Sequence, residues 1–460
     1  MMSRMRFYRL GLLVLLLATM LVTGYSDSGV QPVAAQSATP PQQLLTDQVL
    51  SDWTAAGPRV IWLRYPDCTA PGGAAAPVVM VRIKNTGGFA RSIYLRNDPR
   101  APGACNTYRL NSNIVADERY IYWVDGTQLV RLSVEANPGD TPEPWGPTFF
   151  NDTVELSLAH GQIIALQQQD CQFCLFGTGF ELIATADGSS VRRLLLNEFG
   201  TMPRFDGKYI YYKDANTALR RFTAGSTETP ITIVGKISEY VVEGEQSICF
   251  QITCTTTSYV YYIQTVGNNS IVRYNNIDGL YQLMYLPQLP GGQLGRLYGL
   301  ALANRFILGN QSLFFFEQRY IPCAIPPGCF VTAATDLLRV VNSGGGAPLD
   351  LYSRFTDTDH RAQNVQSDGY NLYWAEQTIN GPLSPATLKR LPANAEALPK
   401  VNLTVTGLEI TQGIQRSDNT VPLIRLRPTF VRVFARATGT SVTDVTAHLQ
   451  VSAAGSAPPR

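Results

Sequence analysis

From Tyr120 to Leu132 the chain reads YIYWVDGTQLVRL: an apolar run, a polar turn and a second apolar run. Ile121-Tyr122-Trp123 and Leu129-Val130-Arg131-Leu132 are short and rich in aromatic and β-branched residues. That pattern predicts two strands rather than helix. Asp125-Gly126 lies between them and offers the φ > 0 position of a tight hairpin.

The same grammar recurs. Tyr209-Ile210-Tyr211-Tyr212 is answered by Leu219-Arg220-Arg221-Phe222, and Tyr259-Val260-Tyr261-Tyr262 by Ile271-Val272-Arg273-Tyr274. Asn371-Leu372-Tyr373-Trp374 is answered by Leu388-Lys389-Arg390-Leu391. Three weaker copies pair Leu313–Phe316 with Leu337–Val340, Gln162–Leu166 with Val191–Leu194, and Val60–Leu63 with Met80–Ile83. First strands thus start near residues 60, 120, 163, 209, 259, 313 and 371.

About seven units, each roughly 43 to 60 residues long, fall in the range of propellers, solenoids and arrays. Strand-forming residues exclude a helical solenoid. The expected fold class is therefore all-β, a β-propeller of about seven blades, which closes its units radially and leaves short edges. Blade strands buried on both faces read as near-continuous apolar runs, as here. Large aromatics fill the wedges between blades. The arginine of the L-x-R-Φ strand is expected outside or between blades, paired with backbone or an acid; the other reading is a ring of arginines facing a ligand.

Ile121-Tyr122-Trp123-Val124-Asp125 and Leu372-Tyr373-Trp374-Ala375-Glu376 resemble the Tyr-Trp-Thr-Asp blades of low-density-lipoprotein-receptor-type propellers. The lead-ins Asp206-Gly207 and Asp368-Gly369 resemble those of TolB-like bacterial propellers. The resemblance covers roughly residues 55 to 395 and implies a fold, not a function. The threonine of the receptor motif is absent, so that ligand mode is not carried over.

The chain has 460 residues with 37 Lys+Arg against 35 Asp+Glu, a net charge of +2. That balance gives no electrostatic reason to expect nucleic acid or an anionic membrane as partner. Arg4, Arg6 and Arg9 precede an apolar run from Leu10 to Val22, followed by Val33-Ala34-Ala35. This is the grammar of a signal peptide over residues 1–36; the run is short for a membrane span. An uncleaved N-terminal anchor is the alternative and the one expected membrane contact. Residues 37–55 read as a linker, with Leu44 to Ala55 a short helix or an extended entry strand. Residues 56–395 are the expected propeller.

Eight cysteines fall as Cys68 and Cys105, Cys171 and Cys174, Cys249 and Cys254, Cys323 and Cys329. An even count in an exported chain makes all eight disulfide candidates that pin loops. Cys171-x-x-Cys174 sits among strands and loops, which favours a disulfide over redox or metal use.

After Leu391–Lys400, a linker, residues 401–460 contain alternating segments at Val401–Ile410 and Thr429–Ala437, with His448 in a third. They look like the opening of an immunoglobulin-like β-sandwich, though a full one needs about seven strands. The stretch LEITQGIQ at 408–415 resembles a module of large secreted bacterial proteins, which often sits beside adhesive repeats or a metallopeptidase domain.

Catalytic motifs are absent: no H-E-x-x-H, G-x-S-x-G, Walker motif or G-x-G-x-x-G occurs. Thr356-Asp357-Thr358-Asp359-His360 is the one cluster with metal-ligand types, and a solvated loop is the simpler account of it. No catalytic, cofactor or metal residue is assigned and no cofactor is expected. The expected role is non-catalytic binding or adhesion, secreted or at the bacterial cell surface, toward a protein, peptide or glycan. The alternative is an accessory propeller of a larger secreted enzyme, such as a metallopeptidase, with catalysis in another part of that protein.

Overall fold

The computed structural model describes residues 40–48, 53–64, 78–84, 87–96, 110, 112–149, 154–169, 177–196, 198–250, 253–266, 269–288, 294–304, 311–320, 334–342, 345–356, 360–378, 385–397, 402–411 and 430–438. Among them are strands and turns, and no helix. The signal segment, 1–36, lies outside the described residues, and among the described ones no helix is long and apolar enough to cross a membrane.

The first strand, β1 (Gln42–Gln48), belongs to the last blade. Blade 1 is β2 (Trp53–Ala56), β3 (Arg59–Arg64), β4 (Val78–Lys84) and β5 (Arg91–Arg96). Blade 2 is β6 (Val115–Ala116), β7 (Tyr120–Asp125), β8 (Gln128–Ser133) and β9 (Glu143–Thr148). Blade 3 is β10 (Val154–Ala159), β11 (Gln162–Gln169), β12 (Gly177–Ala184) and β13 (Ser190–Leu196). Blade 4 is β14 (Gly200–Phe205), β15 (Tyr209–Asp214), β16 (Leu219–Thr223) and β17 (Ile231–Val234). Blade 5 is β18 (Ile237–Phe250), β19 (Thr253–Gln264), β20 (Ser270–Asn275) and β21 (Tyr281–Tyr285). Blade 6 is β22 (Leu294–Asn304), β23 (Gln311–Tyr320), β24 (Ala334–Asn342) and β25 (Leu349–Thr356). Blade 7 is β26 (His360–Ser367), β27 (Asn371–Thr378) and β28 (Pro385–Pro392), completed by β1.

β1 pairs antiparallel with β28, from Gln42 opposite Arg390 to Gln48 opposite Pro385. The N-terminal part of the unit thus supplies the outer strand of the last blade and closes the ring. Within residues 37–55, read from sequence as a linker with a short helix or an extended entry strand from Leu44 to Ala55, Gln42–Gln48 form β1 and Trp53 opens β2. Leu44 and Trp53 hold them in place, since both bury among Tyr373, Ala386 and Leu388 of blade 7 and Val60 and Trp62 of blade 1.

We call the strands of each blade a to d in chain order. The a strands neighbour one another around the full circle, β2-β6-β10-β14-β18-β22-β26 and back to β2. They are therefore the innermost. The predicted Φ-aromatic-aromatic runs are the b strands, and their L-x-R-Φ partners are the c strands. Blade 3 is the exception: Val191–Leu194 belongs to strand d, β13, and the c strand is β12, whose Phe180 and Leu182 carry no arginine signature.

The core is a ring of seven apolar clusters, one at each blade junction. Successive side chains on a strand point to opposite faces. In β7, Ile121 and Trp123 pack against blade 1, whereas Tyr122 and Val124 pack against blade 3. In β27, Leu372 and Trp374 face blade 6, and Tyr373 and Ala375 face blade 1. Each b strand serves two junctions at once, which is why it shows no polar alternation.

A second compact unit includes β29 (Asn402–Thr411) and β30 (Phe430–Thr438), an antiparallel pair. The further strands expected of a sandwich lie outside the described residues.

Candidate functional site

Asp206 and Asp368, the acids of the lead-ins, and Asp117 are held in repeated structural roles. Asp206 accepts the amides of Lys208 and Tyr209 at 2.9 and 2.6 Å and the phenol of Tyr211 at 2.6 Å. Asp117 does the same for Arg119, Tyr120 and the Tyr122 phenol, and Asp368 for Tyr370, Asn371 and the Tyr373 phenol. One carboxylate therefore fixes the a–b turn and a buried tyrosine of strand b. Burial and the neighbouring carboxylate push the Tyr122 and Tyr211 phenols well above their ordinary value. In blade 5 the pattern changes: Glu243, from strand a, accepts the Tyr261 phenol at 2.9 Å. Burial raises the Glu243 carboxyl above its usual range, against the opposing pull of Tyr261 and Arg273.

The c-strand arginines lie between strands and stack on aromatics. Arg131 covers the Tyr120 ring at 4.3 Å and pairs with Glu143 at 2.5 Å. Arg221 covers Tyr209 at 4.4 Å and bonds Asn276; Arg273 covers Tyr259 at 4.1 Å. Arg339 bonds Glu317 at 2.5 Å and Asp350 at 2.6 Å. These are packing arginines, each using its planar guanidinium on a ring, an acid or an amide.

At the centre, bulges in the a strands free backbone amides, and side chains of adjacent blades take them up. The β14 register shifts between Thr201 and Arg204, with Met202 at φ 57°. The Met202 amide donates to Glu155 of blade 3 at 2.8 Å. β22 shifts between Tyr298 and Ala301, and Gly299 and Leu300 donate to Glu239 of blade 5 at 2.7 and 3.2 Å. Asn113 makes a two-way link to Leu156, and Gln366 of blade 7 makes one to Trp53 and Ala55 of blade 1. Burial raises the Glu155 carboxyl, with Met202, Arg204 and Lys213 acting the other way. Gly299 has φ +68°, and a Cβ there would stand 2.5 Å from Val365 of blade 7. Sequence reasoning missed these central groups, because single polar residues within apolar strands carry no motif.

Charge is concentrated in blades 6 and 7. Glu317, fully buried, is held by Arg319 at 2.6 Å, by Arg339, and by the Tyr285 phenol of blade 5. Arg354 joins Asp336 at 3.0 Å to Glu376 of blade 7 at 2.7 Å, and Lys389 adds 2.8 Å to Glu376.

Consecutive strands within each blade are antiparallel, so the turns sort onto two ends. One end carries the a–b and c–d turns. The other carries the b–c turns and the passages between blades. The three longest links, residues 65–77, 97–114 and 321–333, all leave from this second end. A cavity of about 550 Å3 opens at the first end, lined by Arg59, Arg82, Lys84, Phe89, Arg91 and Glu135.

Of the cysteines, Cys68, Cys105, Cys171, Cys174, Cys323 and Cys329 lie outside the described residues. By sequence they fall within links of the second end. Cys249 and Cys254 are opposite each other in the register of β18 and β19. Asp357, Thr358 and Asp359 also lie outside the described residues, and His360 opens β26. Among the described residues, no three His, Cys, Asp or Glu gather as metal ligands.

No family model and no curated protein matches the sequence. Among solved structures, the fold is similar to a Mycobacterium tuberculosis puromycin-hydrolyzing peptidase, with TM-score 0.44 and 14% identity over 79% of this chain. The chain spans 56% of that peptidase's length. It is also similar to the β-propeller domain of the Trilobed protease from Pyrococcus furiosus, with TM-score 0.41 and 9% identity, covering 75% of this chain and 97% of that one. A third likeness is to a putative TolB from Agrobacterium tumefaciens, with TM-score 0.32 and 14% identity, covering 60% and 87%. All three likenesses are of fold.

Proposed function

We propose that the protein is an exported, non-catalytic binding propeller of the cell envelope or extracellular space. Its ligand is a protein, peptide or glycan held at the end where b strands turn into c strands. The observation that supports this is the sorting of links: the three longest of the propeller leave one end, while the a–b turns of six of the seven blades are three residues or shorter. Loops on a rigid scaffold are where recognition concentrates. The seven packed junctions and the clasp of β1 on β28 supply that scaffold.

The cysteines support the same end. Six of them fall in its links, and export would oxidise them. A Cys68–Cys105 bridge would join the 65–77 link to the neighbouring 97–114 passage, and Cys323–Cys329 would close the 321–333 link on itself.

The test is a glycan and peptide array probed with the full chain and with a variant in which 321–333 is a short Gly-Ser turn. The expected result is a specific signal that the variant loses while keeping its melting temperature. An equal signal from both would overturn the assignment of this end.

A further inference from the structure

The first end of blade 1 carries an arrangement that folding alone does not favour. Arg59 on β3 stands directly opposite Lys84 on β4, and Arg82 on β4 directly opposite Arg91 on β5. Like charges directly opposite on adjacent strands are destabilising. Lys84 and Arg82 are two residues apart, so all four cations share one face of the blade. Their neighbours Val81 and Ile83 bury on the other face, toward blade 7.

These four side chains line the cavity of about 550 Å3, a volume typical of small-molecule sites. Glu135, from the c–d turn of blade 2, is the one carboxylate among the described residues of its wall. It is shared: Arg59 and Arg82 both contact it, the latter at 3.2 Å. Arg82 also donates to the Val134 carbonyl. Burial lowers the Arg82 pKa, and Arg59 and Arg91 press it the same way, against Glu135. Four cations against one acid leave a concave, positively charged wall. At its rim Phe89 is 97% exposed, next to Gly87 and Gly88 in the β4–β5 turn.

We propose that this cavity is a binding site for a small ring-bearing anion, with a carboxylate, sulfate or phosphate group on the arginines and the ring against Phe89. Guanidinium groups match such oxyanions with paired hydrogen bonds, and an anion between the two like-charged pairs relieves their repulsion. A neutral ligand would leave the four cations opposed. The site is separate from the long-link end and stands whether or not that end binds anything.

The experiment is calorimetric titration of the full chain with glucuronate, inorganic sulfate and inorganic phosphate, with glucose as neutral control. Anions are expected to bind with an affinity that falls as salt is raised, and glucose is not. Arg91→Ala and Lys84→Ala are each expected to weaken anion binding about tenfold. Phe89→Ala is expected to weaken glucuronate and leave sulfate unchanged. The ranking of the three anions names the preferred oxyanion. A second readout separates a site from mere surface charge: Arg91→Ala is expected to raise the melting temperature of the free protein, by removing repulsion, while reducing the anion-induced rise. The proposal is overturned if glucose binds as well as glucuronate. It is equally overturned if no anion binds the folded protein at millimolar concentration, or if Arg91→Ala lowers the free protein's melting temperature.

Discussion

The Gln366 side chain donates to the Trp53 carbonyl at 2.8 Å and accepts from the Ala55 amide at 3.2 Å, across a separation of more than three hundred residues. It is the inner counterpart of the β1–β28 pairing: the first and last blades are tied near the axis by a side chain and at the rim by a strand. A buried backbone group left without its partner costs about 1–3 kcal/mol. Gln366→Leu is therefore expected to destabilise the propeller by roughly that amount, read from the urea midpoint. An unchanged midpoint would show that the inner tie is dispensable.

Trp123 is fully buried between blades 1 and 2, against Tyr94 at 5.3 Å between ring centroids. Trp123→Ala is expected to cost about 3–5 kcal/mol, and Trp123→Phe less. A near-neutral Trp123→Ala variant would mean that the junction collapses onto the space.

Glu317 is buried with two guanidiniums and a phenol on it. Removing one partner of a buried ion network strands the others, at about 3–5 kcal/mol. Glu317→Ala is expected to fall in that range, and the further change Arg339→Met is expected to recover part of the loss. No recovery in the double variant would argue against stranded charge as the cause.

The Glu243 carboxyl is raised by burial. A raised folded value means that its contribution is complete below the ordinary glutamate pKa of about 4.3 and is lost as pH climbs through the folded one. Glu243→Gln escapes that loss. Its melting temperature is expected to match the parent near pH 4 and to exceed it at neutral pH. A gap that closes toward neutrality would reverse the sign and reject the reading.

The Tyr211 phenol is raised by burial and by Asp206. Stability tied to it is intact below a tyrosine's ordinary pKa of about 10 and is lost at more alkaline pH. Phenolate absorbance from this residue is expected to appear together with unfolding. Tyr211→Phe is expected to be less stable at neutral pH, having lost two hydrogen bonds, and to be less sensitive to alkali. A phenolate signal that rises while the fold is intact would place Tyr211 in solvent.

Much of this architecture was legible in the sequence because strand b has to satisfy two junctions. Ile121-Tyr122-Trp123 leaves no room for a polar residue, so the run is conspicuous wherever it recurs. Blade 3 was misread at its third strand because Phe180 and Leu182 lack the arginine that marks the others. Leu44 reads only as a short helix or an extended entry strand because Leu44-Leu45 between glutamines and a threonine do not announce a strand that pairs across the ring. The basic cavity was invisible for a related reason. Arg59, Lys84, Arg82 and Arg91 are scattered along the chain, and only the registers of β3, β4 and β5 bring them to one face.

The clasp has a consequence for assembly. β1 is synthesised long before β28 exists, so blades 1 to 6 are made while the ring is still open. Once β28 is made, and until its own β1 docks, its outer edge accepts any β1 within reach, including that of another molecule. At high concentration the same hydrogen bonds that seal one ring would splice two rings together, so the yield of single rings is governed by how quickly each chain finds its own opening strand.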